Sequence, residues 1–146
     1  MSEQPMNINY RLISINTEEF DAKELEKDNG TLDLNFDFQF GVNNDKRFVK
    51  TISKFKFLLD KEEMVTLAVS CEFEFEASGW NFFIKGDQLI LPKGLLEMLA
   101  NFTMSTARGV LHAKTEGTKM NKLIIPMING EFIKQDLAIP LNAQVN

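Results

Sequence analysis

The sequence predicts an α+β fold: a four-stranded antiparallel β-meander with one long helix packed on a single face. Three observations predict it. Leu32 to Val42 alternates apolar and polar residues without a break, as does Val65 to Glu76. A third alternating stretch, Val49 to Leu59, lies between them, set off on each side by a turn signal. The run from Pro92 to Gly117 then switches to apolar residues at helical spacing. Period-two alternation gives a strand one buried and one wet face, and spacings of three and four give a helix one apolar stripe.

Residues 1–6 read as a loose, polar start. Ile8, Tyr10, Leu12, Ile13 and Ile15 predict a strand over Asn7–Ile15 with a slip of phase at Leu12–Ile13. Thr17 to Gly30 is charged and poorly periodic, with Phe20 and Leu25 as isolated apolar points, and reads as a connection ending in the Asn29-Gly30 turn signal. In the second strand Leu32, Leu34, Phe36, Phe38, Phe40 and Val42 share the apolar face, and Asn43-Asn44-Asp45 forms the turn. The third strand sets Val49, Phe55, Phe57 and Leu59 against Lys50, Lys54 and Lys56, with Ile52 and Leu58 breaking the pattern.

Asp60-Lys61-Glu62-Glu63 is the next turn. In the strand after it, Val65, Leu67, Val69, Cys71, Phe73 and Phe75 oppose Thr66, Ala68, Ser70, Glu72, Glu74 and Glu76. Matching the apolar faces across both hairpins places Asp33 opposite Lys56 and Lys50 opposite Glu74. The wet face then carries cations on its middle strand between acidic neighbours, the favourable cross-strand arrangement. Ala77-Ser78-Gly79 interrupts the last strand, and Trp80 to Ile84 reads as a bulged continuation or a short further strand. Gly86-Asp87 is a turn.

Pro92 suits the first turn of a helix, where its missing donor costs nothing. Leu95, Leu99, Phe102, Thr106, Val110 and Ala113 share one face of this helix; Ala100, Thr103, Ser105 and Ala107 make a second face of small residues. Gly109 in mid-helix costs about 1 kcal/mol against Ala, which predicts close approach of another backbone there. Beyond Leu123-Ile124-Ile125-Pro126 the chain reads as a mixed tail. The whole sequence, 1–146, is thus one domain, with 1–6 and 131–146 loosely ordered.

The chemistry-bearing residues are few. Sixteen basic residues dispersed among 21 acidic ones, with a net charge of −5, lack the basic clustering that a phosphate backbone needs, so no nucleic-acid partner is expected. Neither a secretory signal nor an apolar run long enough to span a bilayer is visible, so no membrane insertion and a cytoplasmic location are expected. The lone Cys71 fits a reducing compartment and lies on an apolar strand face, as a structural thiol does. His112, the only histidine, reads as a surface or interface residue. No catalytic residue, metal site or cofactor is expected, and the protein is read as no enzyme.

Glu72, Glu74 and Glu76 form one carboxylate row that could serve acid/base chemistry or attract a cation; it is read first as a solvated face paired with lysines, with a docking face for a basic partner as the third reading. The chain holds thirteen phenylalanines, and the apolar faces of its three long strands exceed what one helix can cover. That surplus predicts self-association, an open apolar groove, or both.

The order of elements and several strings resemble the SecB family of bacterial export chaperones. Ile15-Asn16-Thr17-Glu18-Glu19-Phe20 is similar to that family's first strand entering its crossover loop. Cys71-Glu72 followed by Gly79-Trp80-Asn81-Phe82, then Ala107-Arg108, Gly117-Thr118 and Pro126, follow in the family's order, so the resemblance spans about Ile8 to Asn129. There are departures. Met104-Ser105-Thr106 stands where the family has a proline before its Tyr-Ala-Arg, Lys119-Met120 replaces its Phe-Pro, and Glu131–Asn146 has no counterpart of its second helix and acidic tail.

The resemblance implies an ATP-independent holder of unfolded polypeptides or preproteins, assembled as a homo-oligomer, dimer or tetramer. An oligomeric adaptor of the same fold, or a toxin–antitoxin-associated chaperone, with one dedicated partner in place of general clients, is the alternative. By position, the peptide groove is expected at Phe20, Leu25, Trp80, Phe82 and Phe83, and the oligomer contact at Ala100, Thr103, Ala107, Gly109 and Val110. The acidic row Glu72, Glu74 and Glu76 is the face that would meet the export motor SecA.

Overall fold

The computed structural model describes residues 8–26, 29–128 and 132–141. Four long strands, β1 (Tyr10–Ala22), β2 (Leu32–Asn43), β3 (Phe48–Leu59) and β4 (Glu62–Phe75), form an antiparallel sheet in the order β1-β4-β3-β2. β2, β3 and β4 are the predicted meander. β1 returns beside β4 through a crossover, which gives the Greek-key order. The chain continues through α1 (Ala77–Phe82), β5 (Ile84–Lys85) and β6 (Gln88–Leu91) into α2 (Lys93–Thr115). A single 3-10 turn (Lys119–Lys122), an extended segment over 123–128 and β7 (Leu137–Pro140) follow, and β5-β6-β7 make a second, smaller sheet.

The strand faces are as the alternation predicts. On β4, Val65, Leu67, Val69, Cys71, Phe73 and Phe75 are all buried, and so are Val49, Phe55, Phe57 and Leu59 on β3. The slip at Leu12–Ile13 is a register shift between Leu12 and Ser14, and a second lies between Thr17 and Glu19. The register differs from expectation by two residues in each hairpin. Asp33 faces Leu58 and Lys56 faces Asn35; Lys50 faces Glu72, while Glu74 faces Phe48. The reason is turn length. Asn43 pairs with Phe48 around a connection of residues 44–47, where Asn43 Oδ1 accepts from the Lys46 amide at 3.1 Å. The β3–β4 turn is instead only Asp60-Lys61, both with positive φ, the geometry that matches strand twist. Shifts of two preserve the faces, so the core was unaffected.

Other expectations change more. Thr17–Ala22 continues β1 and does not belong to the crossover; its polar residues lie on an edge strand where water is available. Ala77–Phe82 is a helical turn, with Gly79 buried where any Cβ would lie 2.7 Å from Ile8 Cγ2. The tail is tied down over 132–141. β7 pairs with β6, and Asp136 Oδ1 accepts from the Lys93 amide at 2.8 Å, capping a helix whose own N-cap, Pro92, has no capping side chain. Residues 1–6, 131 and 142–146, where loose ordering was expected, lie outside the described residues, as does Asn7 of the first expected strand.

Helix α2 buries a face different from the expected one: Leu96, Leu99, Ala100, Thr103, Met104, Ala107, Leu111 and Thr115. Opposite its middle the sheet carries Thr51, Ser53 and Cys71, all fully buried. Small residues on both sides let helix and sheet come close, so the small face turned inward and Phe102 turned to the rim. This waist divides the core into two apolar clusters. One gathers Phe73, Phe75, Trp80, Phe83, Leu91 and Leu96; the other gathers Phe55, Phe57, Leu67, Met104, Leu111 and Ile125. The helix alone does not cover the sheet. Met120, Leu123 and Ile125 from the segment after it plug the second cluster, and Ile128 and Phe132 pack beside them. Arg108 fastens that segment, its Nε donating to Ile125 O at 2.7 Å and its Nη2 to Pro126 O at 2.6 Å.

Candidate functional site

Among the described residues, two openings expose part of the apolar surplus left after this packing. The first opening, about 670 Å³, lies between α2 and the edge strand β1, lined by Tyr10, Leu12, Phe73, Met98, Leu99 and Phe102 with Asn101 and Ser105. Met98 is 59% exposed and Phe102 44%, one helical turn apart, with Leu12 and Ile15 exposed on β1. The second, about 200 Å³, sits under the crossover at the far end of the sheet. Leu25 is one wall, Met120 and Leu123 the other, and Leu32, Leu59 and Met64 complete the apolar lining. Its polar rim is Glu24, Asn29, Lys119 and Lys122. The pocket keeps its shape because the crossover is pinned to the β3–β4 turn: the Thr31 amide donates to Asp60 Oδ1, and the Asp60 amide to Thr31 O, both at 2.8 Å. Gly30 makes this possible, since a Cβ there would lie 2.5 Å from the Asp60 carboxylate.

The five expected groove residues do not come together. Leu25 lines the second opening. Phe20 is half-buried against the second core cluster, with Lys114 Nζ 5.7 Å from its ring centroid. Trp80 and Phe83, each 2% exposed, are core residues in a ring cluster with Phe75, and the Trp80 indole donates to Asn44 Oδ1 at 2.7 Å. The helical turn of α1 directs them inward, a placement that a bulged strand would have split between faces. Phe82 is left outside, with Lys85 Nζ 5.1 Å from its ring centroid. Of the expected oligomer contact, Ala100, Thr103 and Ala107 are fully buried against the chain's own sheet, and Val110 packs on the second cluster. Gly109 is exposed, and among the described residues beyond its own helical turn nothing lies within 4 Å of an added Cβ, so the close backbone approach expected there is not made by them.

The acidic row is already engaged by its neighbours. Glu72 accepts from Ser14 Oγ at 2.8 Å, Glu74 from Arg11 Nε at 2.9 Å, and Glu76 from Asn9 Nδ2 at 3.0 Å. The lysines expected to pair with this row reach past it: Lys50 meets Glu18 at 3.4 Å and Lys54 meets Glu19 at 3.2 Å, across small Ser70 and Ala68. Burial pushes the Cys71 thiol up, against weaker lowering by Thr103 and Thr106, and a protonated thiol is a poor nucleophile. His112 is exposed, 3.7 Å from Glu116. Among the described residues no group of three metal-ligating side chains gathers, and no helix is long and apolar enough to cross a membrane.

Leu12, Leu32, Met98 and Met120 belong to the openings but not to the expected site. Met98 and Phe102, four apart and opposite the small helix face, carried a usable signal; Met120, after the helix, carried none.

No protein-family model matches the chain, and no curated protein matches it by sequence. Among solved structures it is similar to the Rv1957 SecB-like chaperone of Mycobacterium tuberculosis, determined in complex with a ChAD peptide from the Rv1956 HigA1 antitoxin. The TM-score is 0.57 at 11% identity, covering 82% of this chain and 88% of that one. A protein of unknown function from Streptococcus agalactiae aligns more loosely, with a TM-score of 0.38 at 12% identity over 85% of this chain and 100% of that one. At such identity the likeness is one of architecture: four antiparallel strands and a long helix in a SecB-like α+β fold.

Proposed function

We propose that this protein is an ATP-independent holdase that keeps unfolded polypeptides from aggregating by taking up their apolar side chains. One observation carries the reading: within a SecB-like fold, the pocket under the crossover opens onto exposed apolar residues of an edge strand. Leu32 lines that pocket at 50% exposure, and Phe36, four residues further along the same face of β2, is 42% exposed. A pocket beside a free strand edge offers burial for side chains and pairing for backbone, the two needs of an extended client. The other opening, with Met98, Phe102, Leu12 and Ile15, is the surface through which copies of the chain associate, and several pockets on one oligomer would hold one client by many weak contacts. A second reading, one dedicated partner, is favoured by the neighbour's antitoxin peptide.

The test is light scattering of a chemically unfolded client diluted into buffer without nucleotide. Near-stoichiometric protein should suppress the rise in scattering. Leu32→Ser with Phe36→Ser should abolish suppression while leaving the fold intact, because both side chains are already half in water. Undiminished suppression by this variant would remove the site assignment. Failure of the wild type on several clients, with tight binding of one, would favour the dedicated chaperone.

A further inference from the structure

β2 is an outer strand, paired with β3 on one side only. The Asp60 amide donates to Thr31 O, and β2 pairs with β3 from Leu32 to Asn43 without a register shift. Backbone groups alternate in direction along an antiparallel pair, so the odd-numbered residues turn theirs toward β3. The amides and carbonyls of Leu32, Leu34, Phe36, Phe38 and Phe40 consequently point to the free edge. On the outer face of this strand Asp33, Asn35, Asp37 and Gln39 are exposed. On the inner face Leu32 and Phe36 are exposed. Lys54, which faces Asp37 in register, reaches away to Glu19 at 3.2 Å, and Lys56, which faces Asn35, reaches Glu63 at 3.3 Å.

The stretch Leu32–Phe40 is its own antiparallel complement. Laid against a second copy with Phe36 on the two-fold axis, Asp33 falls opposite the partner's Gln39, and Asn35 falls opposite the partner's Asp37. Every aspartate carboxylate at the contact then faces a side-chain amide that can donate to it. On the other face Leu32 meets the partner's Phe40, Leu34 the partner's Phe38, and Phe36 the partner's Phe36. The outward backbone groups meet as hydrogen-bonded pairs, and the acid–amide pairs fall at the non-hydrogen-bonded positions, where side chains lie closest. Other registers lose part of this match. Centring on Asn35 sets Asp33 against the partner's Asp37, and centring on Asp33 or Asp37 sets an aspartate against its own copy; like charges in register oppose pairing. Centring on Leu34 leaves Asp37 opposite the partner's Thr31, and centring on Phe38 leaves Asn35 opposite the partner's Gly41.

We infer that two copies of this chain join edge to edge through β2, with Phe36 on the two-fold axis, so that their sheets run into one another. A closed two-fold contact also leaves no β2 edge free to recruit further strands. One strand edge is a small contact beside the roughly 1,200 Å² of stable complexes, so the association is weak and reversible. The inference does not rest on the polypeptide-holding reading; where that reading holds, the pairing covers the edge while no client is bound.

The experiment is residue-resolved amide hydrogen exchange of the wild-type protein from micromolar to millimolar concentration. The amides of Leu34, Phe36 and Phe38 should exchange fast when dilute and slow progressively as concentration rises. Sedimentation equilibrium of protein carrying Met98→Glu with Phe102→Glu, which removes the helix-side contact proposed above, then reads this pairing alone. In that background Gln39→Lys, facing the partner's Asp33 twice over in the symmetric contact, should tighten self-association by about tenfold in Kd, and Gln39→Glu should weaken it. Gln39 is exposed and faces Ile52 on β3, so neither change opposes a like charge directly across the chain's own hairpin. Exchange of the three β2 amides that does not depend on concentration would overturn the inference, even if protection grew elsewhere in the chain. Self-association that strengthens equally with Lys and Glu at position 39, or responds to neither, would overturn the register and with it the proposal.

Discussion

The hydroxyl of Thr51 is buried on the apolar face of β3, in the waist between helix and sheet, with no hydrogen-bond partner among the described residues. A buried, unpaired polar group costs on the order of 1–3 kcal/mol, whereas an apolar group of the same shape costs nothing comparable. Thr51→Val should therefore raise the unfolding free energy by about 1 kcal/mol, read as a higher denaturation midpoint at unchanged slope. A lower midpoint would mean that the hydroxyl is satisfied. Ser70 on the other face is the opposite case: its Oγ donates to Glu18 Oε2 at 2.6 Å, with Lys50 close by. The Ser70 hydrogen bond, more than the Lys50 charge, holds the Glu18 carboxyl below its ordinary range against the opposing effect of burial. A carboxyl whose pKa is lower folded than unfolded stabilises at neutral pH, and that contribution disappears as pH falls through the carboxylate range. Ser70→Ala should flatten this acid-side loss of stability, seen as a smaller difference between midpoints at neutral and acid pH; an unchanged difference would show that Glu18 does not contribute.

At the scale of elements, the extended segment over 123–128 is held by side chains alone. No strand ladder holds it; two apolar plugs, Leu123 and Ile125, and the Arg108 guanidinium do. Arg108→Gln keeps some donor capacity but not the charged fork, and should lower stability by about 2 kcal/mol while making 119–128 the first site of limited proteolysis. Cleavage elsewhere first would show that the plugs suffice. The strands and the helix boundaries were legible because alternation and Pro92 are local signals. The rest depended on partners distant in sequence. The helix face was misread because its orientation is set by Thr51, Ser53 and Cys71, which are small residues on other elements. Register was misread because turn length sets it, and a four-residue polar cluster such as Asp60–Glu63 leaves that length open. Trp80 and Phe83 read as groove residues because exposure cannot be judged from aromatic character, and Asp136 capping α2 from 43 positions away left no pattern to find.

For the whole molecule, the balance is between apolar surface and what a single chain can cover. Segments after the helix account for much of the surplus, plugging the β3 side of the sheet with Met120, Leu123 and Ile125. What stays open on the β1 side gathers Leu12 on the edge strand with Met98 and Phe102 on the helix around one opening, and Ile15 is exposed further along the strand. Further along the helix, exposed Gly109 leaves room for a neighbouring element to lie close. Burying side chains of this size contributes up to roughly 1.5–3 kcal/mol each, and a symmetric contact counts every one twice, so association through this face offsets a substantial loss of translational freedom. Met98→Glu with Phe102→Glu places charges at the centre of that face without touching the buried helix face of Leu96, Leu99 and Thr103. The wild type should show a native mass of a dimer or more, and the double variant should fall to the 16.7 kDa of one chain with its far-UV spectrum preserved. If the wild type is itself a single chain at micromolar concentration, this face is not a subunit contact; the pocket under the crossover and the β2 edge, on the opposite side of the sheet, would then have to hold clients one chain at a time.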